Sequence, residues 1–143
     1  MKLREIMTRE VVRINPEESV AVAARTLTHY NIGMLPVCDT RGRVCGLVTD
    51  RDLVTRCVAS GKNPSATPVR DVMTKNVIWA ESGMDVAVAA HLMGSQQIRR
   101  LPVIENGKLC GMVSLADMAN REESTVDAGD ALAGISSNLS VRD

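Results

Sequence analysis

The chain has 143 residues, 45% of them hydrophobic, with one Trp, one Tyr and no Phe, a length that predicts a single domain. Its seventeen Lys and Arg balance seventeen Asp and Glu with no long run of either sign, which argues against a nucleic acid or an anionic membrane as the main partner. No apolar run approaches the roughly 18 residues that span a bilayer, and the opening MKLREIMTREVV lacks a signal peptide's apolar stretch, so the expected location is the cytoplasm.

In chain order, Ile6-Met7-Thr8 precedes a short branched run, Val11 to Ile14, that predicts a strand. Ser19 then stands as an N-cap before VAVAA, where Val20, Ala23, Ala24 and Leu27 fall at helical spacing. Leu35-Pro36-Val37, a turn around Gly42, and Val44 to Thr49 read as a hairpin, with Pro36 expected near a strand start or at an edge. A second helix is predicted from Asp52 onward, using Leu53, Cys57 and Val58.

The same order then returns. Val72-Met73-Thr74 answers Ile6-Met7-Thr8, VAVAA recurs from Val86 behind Asp85, and Leu101-Pro102-Val103 answers Leu35-Pro36-Val37, all at an offset of 66 residues, as from Val20 to Val86. Beyond the turn the offset is 65, as from Thr49 to Ser114, so a residue is lost where Asn106-Gly107 gives a type I′ turn signal. A slip confined to a loop marks a repeat of structure. The expected fold is therefore α/β of the α+β kind, two β-α-β-β-α repeats packed with pseudo-two-fold symmetry. The divisions are repeat 1 over 1–60, a Gly/Pro/Ser linker over 61–68, repeat 2 over 69–123 and a tail over 124–143. Each unit of about 60 residues would be marginal alone, so the two are expected to pack together. The tail admits one short helix around Val126 to Ile135, and reads as a mobile end or a strap that a partner subunit orders.

The cysteines, Cys38, Cys45, Cys57 and Cys110, lack CxxC spacing; they are expected to be reduced thiols with no metal site. Cys45 and Cys110 hold equivalent positions, which suggests strand packing, and His29 and His91 are expected to face solvent. No nucleophile and base are paired by any motif, so no enzyme activity is expected.

Two positions attract chemistry. Thr49-Asp50-Arg51-Asp52 and Ser114-Leu115-Ala116-Asp117 each place a hydroxyl three residues before an acid at a helix start. That pattern is close to a capping box, which satisfies orphan amides and nothing more. It also suits a ligand, because helix amides and a hydroxyl can seat a phosphate while the acid takes the two hydroxyls of a ribose. Gly46 and Gly111 would leave room for it.

Ile/Val-Met-Thr, a helix, Leu-Pro-Val, a turn and Gly-hydrophobic-hydrophobic-Thr/Ser-x-x-Asp, given twice over about residues 1–120, resembles a tandem pair of cystathionine-β-synthase (CBS) domains, a Bateman module. VTDRDLVTRCVASGKNP is similar to the stand-alone bacterial pairs of the hypoxic-response-protein type. The resemblance implies a regulatory, energy-sensing module that binds AMP, ADP, ATP or S-adenosylmethionine in two clefts, has no fixed cofactor, forms disk-like homodimers and acts on an unknown protein target. It further implies that Asp52 and Asp117 hold ribose and that Thr49 and Ser114 face phosphate. Adenine would lie around Val12 and Ile78, with Leu47 and Met112 as walls. Arg99 and Arg100, where the first repeat has Gly33 and Met34, would meet phosphates, and Arg51 could compensate in the first cleft. The competing expectation is a ligand-free interaction or dimerisation module of a stress response.

Overall fold

The computed structural model describes residues 1–120 and 128–135. Both VAVAA stretches are helices, α1 (Val20–Tyr30) and α3 (Val86–Gln96). Each starts at its expected cap: Ser19 Oγ accepts from the Val22 amide at 3.2 Å and Asp85 Oδ1 from the Ala87 amide at 3.3 Å. Each ends on a residue in the left-handed region, Asn31 at φ 53° and Gln97 at φ 58°. The next amide then reaches back, Ile32 N to Leu27 O and Ile98 N to Met93 O, so the final carbonyls are not left bare. Val20, Ala23 and Leu27 are buried on α1, while Ala24 is exposed; on α3 Val86, Ala89, Ala90 and Met93 are all buried.

Each helix feeds a two-stranded sheet, β1 (Met34–Cys38) antiparallel to β2 (Val44–Thr49), and β3 (Arg100–Glu105) beside β4 (Lys108–Ser114). Asn106 at φ 53° and Gly107 at φ 79° give the second hairpin the turn its sequence predicts. The opening strands do not form as such. Val11 to Ile14 contributes a single parallel bridge, Ile14 to Val37, and Val77 to Trp79 leads to another, Ala80 to Val103. The prolines explain the shortness. Pro36 O accepts from Ile14 N and Pro102 O from Ala80 N, both at 3.0 Å, so each proline turns its missing donor toward this outer side, where a longer ladder would need it.

After β2 the chain turns at α2 (Asp50–Asp52), which continues as a π-helical turn through Leu53–Val58, closed by Ala59 N to Val54 O at 2.8 Å. Leu53 and Cys57 enter the core, but Val58 is 62% exposed and does not join them. After β4 comes the shorter α4 (Leu115–Ala119), which buries Met118. Both helices start two residues before the acid expected to open them, because Thr49 and Ser114 are the caps.

The residues gather into two compact units, and neither is one continuous stretch. One unites Met1–Val11 with Ile78–Asn106 and the described residues from Cys110 onward; the other unites Val12–Val77 with Gly107–Leu109. In the first, Leu3 and Ile6 pack with Val86, Met93, Leu101 and Val113; in the second, Val69 and Val72 pack with Val20, Leu35 and Val48. Each Met-Thr segment thus completes the core built on the other repeat's hairpin. Thr8 exchanges paired backbone bonds with Met112 at 2.8 and 2.9 Å, and Thr74 with Leu47 at 2.7 and 2.9 Å.

Residues of the 61–68 stretch also serve as a helix cap. Thr67 O and Pro64 O accept from the Val20 and Ala21 amides at 2.8 and 3.0 Å, satisfying donors that α1 cannot satisfy itself. In the tail, residues 128–135 form a helix, α5, with Ala128, Ala131 and Ile135 buried, so this stretch is not a loose end. The rest of the tail reading, 124–127 and 136–143, lies outside the described residues.

Candidate functional site

The two hydroxyl-x-x-Asp motifs fold into complete capping boxes. Thr49 Oγ1 accepts from the Asp52 amide at 3.1 Å while Asp52 Oδ2 accepts from the Thr49 amide at 3.0 Å; Ser114 and Asp117 repeat this at 3.1 and 2.8 Å. The capping expectation is met in both repeats.

Beyond the caps they differ. Asp52 is 7% exposed, and both its oxygens accept from the Thr74 hydroxyl at 3.3 Å. Arg56 Nε stands 3.8 Å from Asp52 Oδ1, held there by Arg56 Nη1 donating to Met73 O at 3.0 Å. Asp117 is half-buried, and among the described residues only its Oδ2 accepts a side-chain bond. The exchanged Met-Thr segment makes the difference, because Thr74 supplies Asp52 with a hydroxyl whereas Thr8 supplies none to Asp117.

Gly46 and Gly111 do not hold space open for a ligand. A Cβ at Gly46 would lie 2.6 Å from Thr74 O, and one at Gly111 would lie 2.6 Å from Met7 Sδ and 3.1 Å from Thr8 O. The exchanged segments fill that room.

Arg99, Arg100 and Ser114 do converge. They line a cavity of about 530 Å³ together with Ala128, Gly129 and Leu132 of α5. Asp117, Ile78 and Met112 do not line it. Ile78 is half-buried against the core of its unit and Met112 is buried. In the other unit Val12 and Leu47 are half-buried and Arg51 is exposed. Sequence patterns missed Thr74, Arg56 and the α5 wall, which reach their places from 22, 4 and more residues away in the chain. Also unforeseen is an open depression of about 760 Å³ lined by Arg56, Lys62, Arg70 and Lys75. Its charge is partly cancelled, since Arg70 pairs with Glu17 and stands 3.9 Å from Asp71.

His29 and His91 are exposed. Burial pushes the Cys38 and Cys110 thiols up, and the Cys110 thiol donates to Val103 O at 3.3 Å, so both favour the unreactive protonated form. Among the described residues no three His, Cys, Asp or Glu side chains are grouped so as to hold a metal, and no helix is long and apolar enough to cross a membrane.

Comparison with known proteins accounts for the repeat. The family model described as "CBS domain" matches residues 3–59 and 69–123. The CBS domain-containing protein YhcV of Bacillus subtilis is 35% identical over 134 residues, 94% of each chain. The crystal structure of hypoxic response protein I with two coordinated zinc ions superposes with a TM-score of 0.77 at 29% identity, covering 85% of this chain and 98% of that one. A hexameric CBS-CP12 protein from bloom-forming cyanobacteria has a TM-score of 0.71 at 29% identity, covering 86% and 68%.

Proposed function

The chain belongs to the CBS-domain family as a tandem pair, and we propose that it is a regulatory module of the cytoplasm that binds an adenosine-containing ligand such as AMP, ADP, ATP or S-adenosylmethionine. The observation that carries this reading is the convergence of Arg99, Arg100 and Ser114 on one cavity of a size suited to a small ligand. Two guanidinium groups there can take a phosphate through paired hydrogen bonds. Asp117 lies outside the cavity lining but one turn on from Ser114, which does line it; its Oδ1 accepts nothing among the described residues, so a ligand that extends beyond the cavity can place a ribose hydroxyl there without breaking the cap.

The Asp52 position supports binding less well. Its carboxylate is buried and shared among the Thr49 amide, the Thr74 hydroxyl and Arg56, so a ribose would have to displace existing bonds. One ligand per chain, in the second-repeat unit, is the stoichiometry this favours. No covalent chemistry is assigned: two of the thiols are held protonated and no base is paired with a nucleophile among the described residues. No metal is assigned to the site: among the described residues no three His, Cys, Asp or Glu side chains are grouped so as to hold one.

The output is a change in packing, either between copies of the chain or on a separate target protein; the relative described as hexameric supports self-association. A homodimer is the simplest assembly. The competing reading, a ligand-free interaction module, is favoured by the completeness of both capping boxes. A thermal-shift panel of AMP, ADP, ATP, S-adenosylmethionine and NADH on wild type, Asp52→Ala, Asp117→Ala and Arg99→Ala/Arg100→Ala separates the two. A stabilising shift that survives Asp52→Ala but is lost in the other variants supports the proposal; no shift with any compound, upheld by calorimetry, leaves the interaction module.

A further inference from the structure

The CBS match ends at residue 123, yet the cavity holding Arg99, Arg100 and Ser114 is bounded on one side by Ala128, Gly129 and Leu132 of α5. We infer that α5 is the third wall of the ligand site, so that docking of α5 and binding of a phosphate-bearing ligand reinforce each other. This rests on the proposal that the cavity takes a nucleotide. It goes further by assigning affinity to a segment outside both repeats.

α5 is held by close backbone approach. A Cβ at Gly94 of α3 would lie 3.2 Å from Ala131 Cα, and one at Gly134 of α5 would lie 2.9 Å from Gly94 O. Ala131 is 2% and Ala128 6% exposed, so α5 turns small residues onto the core. That docking presents the flank carrying Gly129 and Leu132 to the cavity. Leu132 is left 44% exposed.

Ala116 and Ala119 of α4 join Ala128 and Leu132 in giving the cavity an apolar lining apart from the arginines and Ser114. Excluding water from an arginine–phosphate contact strengthens it, because the effective dielectric falls. A ligand that meets the docked helix binds more tightly than one facing open water, and by linkage the bound ligand must hold the helix in place by the same factor. The cavity retains about 530 Å³ with α5 docked, so a phosphate tail has room without displacing the helix.

The experiment uses the full chain with ATP and AMP as probes. Calorimetry gives affinity, and hydrogen exchange of residues 128–135 reports α5. In wild type, ligand is expected to slow exchange in this segment. Gly94→Leu replaces a poor helix former in α3 with a good one but drives α5 away, so it should speed exchange without ligand and weaken binding at least tenfold. Leu132→Ser leaves the α3 packing intact and should weaken binding at least threefold; it decides the matter if Gly94→Leu fails to fold.

Binding by wild type that Gly94→Leu and Leu132→Ser both retain at full strength would overturn the inference and leave the proposed function standing. Unchanged exchange in ligand-free Gly94→Leu would overturn it as well, since α5 would not depend on that contact. Absence of any binding to wild type would remove both. Loss of binding in Arg99→Ala/Arg100→Ala with retention in the α5 variants would place the ligand on the arginines alone.

Discussion

Asp52 and Asp117 descend from one motif, make the same capping box, and have come to different ends. Asp52 is buried beneath the Thr74 hydroxyl and Arg56, whereas Asp117 is half-buried with one oxygen unengaged among the described residues. A cap needs only Oδ2 of the acid and the hydroxyl of the residue three before it. What a carboxylate can do beyond that is decided by whatever the rest of the chain lays against it. In one unit the neighbour consumes the acid; in the other, two arginines beside the same helix start face a cavity.

The largest test of that difference lies at the glycines before the motifs. Gly46→Val should cost about 3 kcal/mol in urea unfolding, because the new Cβ meets the Thr74 carbonyl, which is pinned by paired backbone bonds. Gly111→Val should cost nearer 1 kcal/mol, since its closest obstacle is the flexible end of Met7. Equal losses would mean that the two exchanged segments are held alike, and the asymmetry would fail at its source.

Next come the acids. Asp52→Ala should cost about 2 kcal/mol, because it strips an acceptor from the Thr49 amide and the Thr74 hydroxyl together. Asp117→Ala removes only the acceptor of the Ser114 amide, leaving the Ser114 hydroxyl cap in place, and should cost about 1 kcal/mol. Denaturant midpoints of the two variants measured side by side check the ranking.

Arg99→Ala/Arg100→Ala should leave unfolding within about 0.5 kcal/mol of wild type, both side chains being exposed, while removing any nucleotide-dependent rise in melting temperature. A stability loss as large as that of Asp52→Ala would instead make the pair structural.

The smallest effect concerns the turn ends. Asp39 accepts from the Arg41 and Arg43 amides of its own turn, both at 2.9 Å, while its counterpart Glu105 accepts from the Ser82 hydroxyl and amide at 2.7 Å. The Ser82 hydroxyl, and then its amide, hold the Glu105 carboxyl below its ordinary value of 4.5. A carboxyl lowered on folding adds stability at pH above that ordinary value and loses it as pH falls through the lowered one. Ser82→Ala should therefore move the Glu105 titration upward, toward 4.5, as read by NMR.

What the sequence determined by itself was everything set by neighbours a few residues apart. Ser19 and Asp85 cap the helices, Asn106-Gly107 turns the hairpin, and the 66-residue offset declares the duplication, because caps and turns act within one or two turns of chain. The tertiary structure alone decided which Met-Thr segment closes which hairpin. Ile6-Met7-Thr8 and Val72-Met73-Thr74 are so alike that either hairpin would accept either segment on pattern, and only the long-range path of the chain makes the choice. From that choice follow the filling of the space beside Gly46 and Gly111 and the burial of Asp52. The docking of α5 is of the same kind: Gly94, Ala131 and Gly134 look unremarkable in a row of residues, and matter only because two backbones meet there.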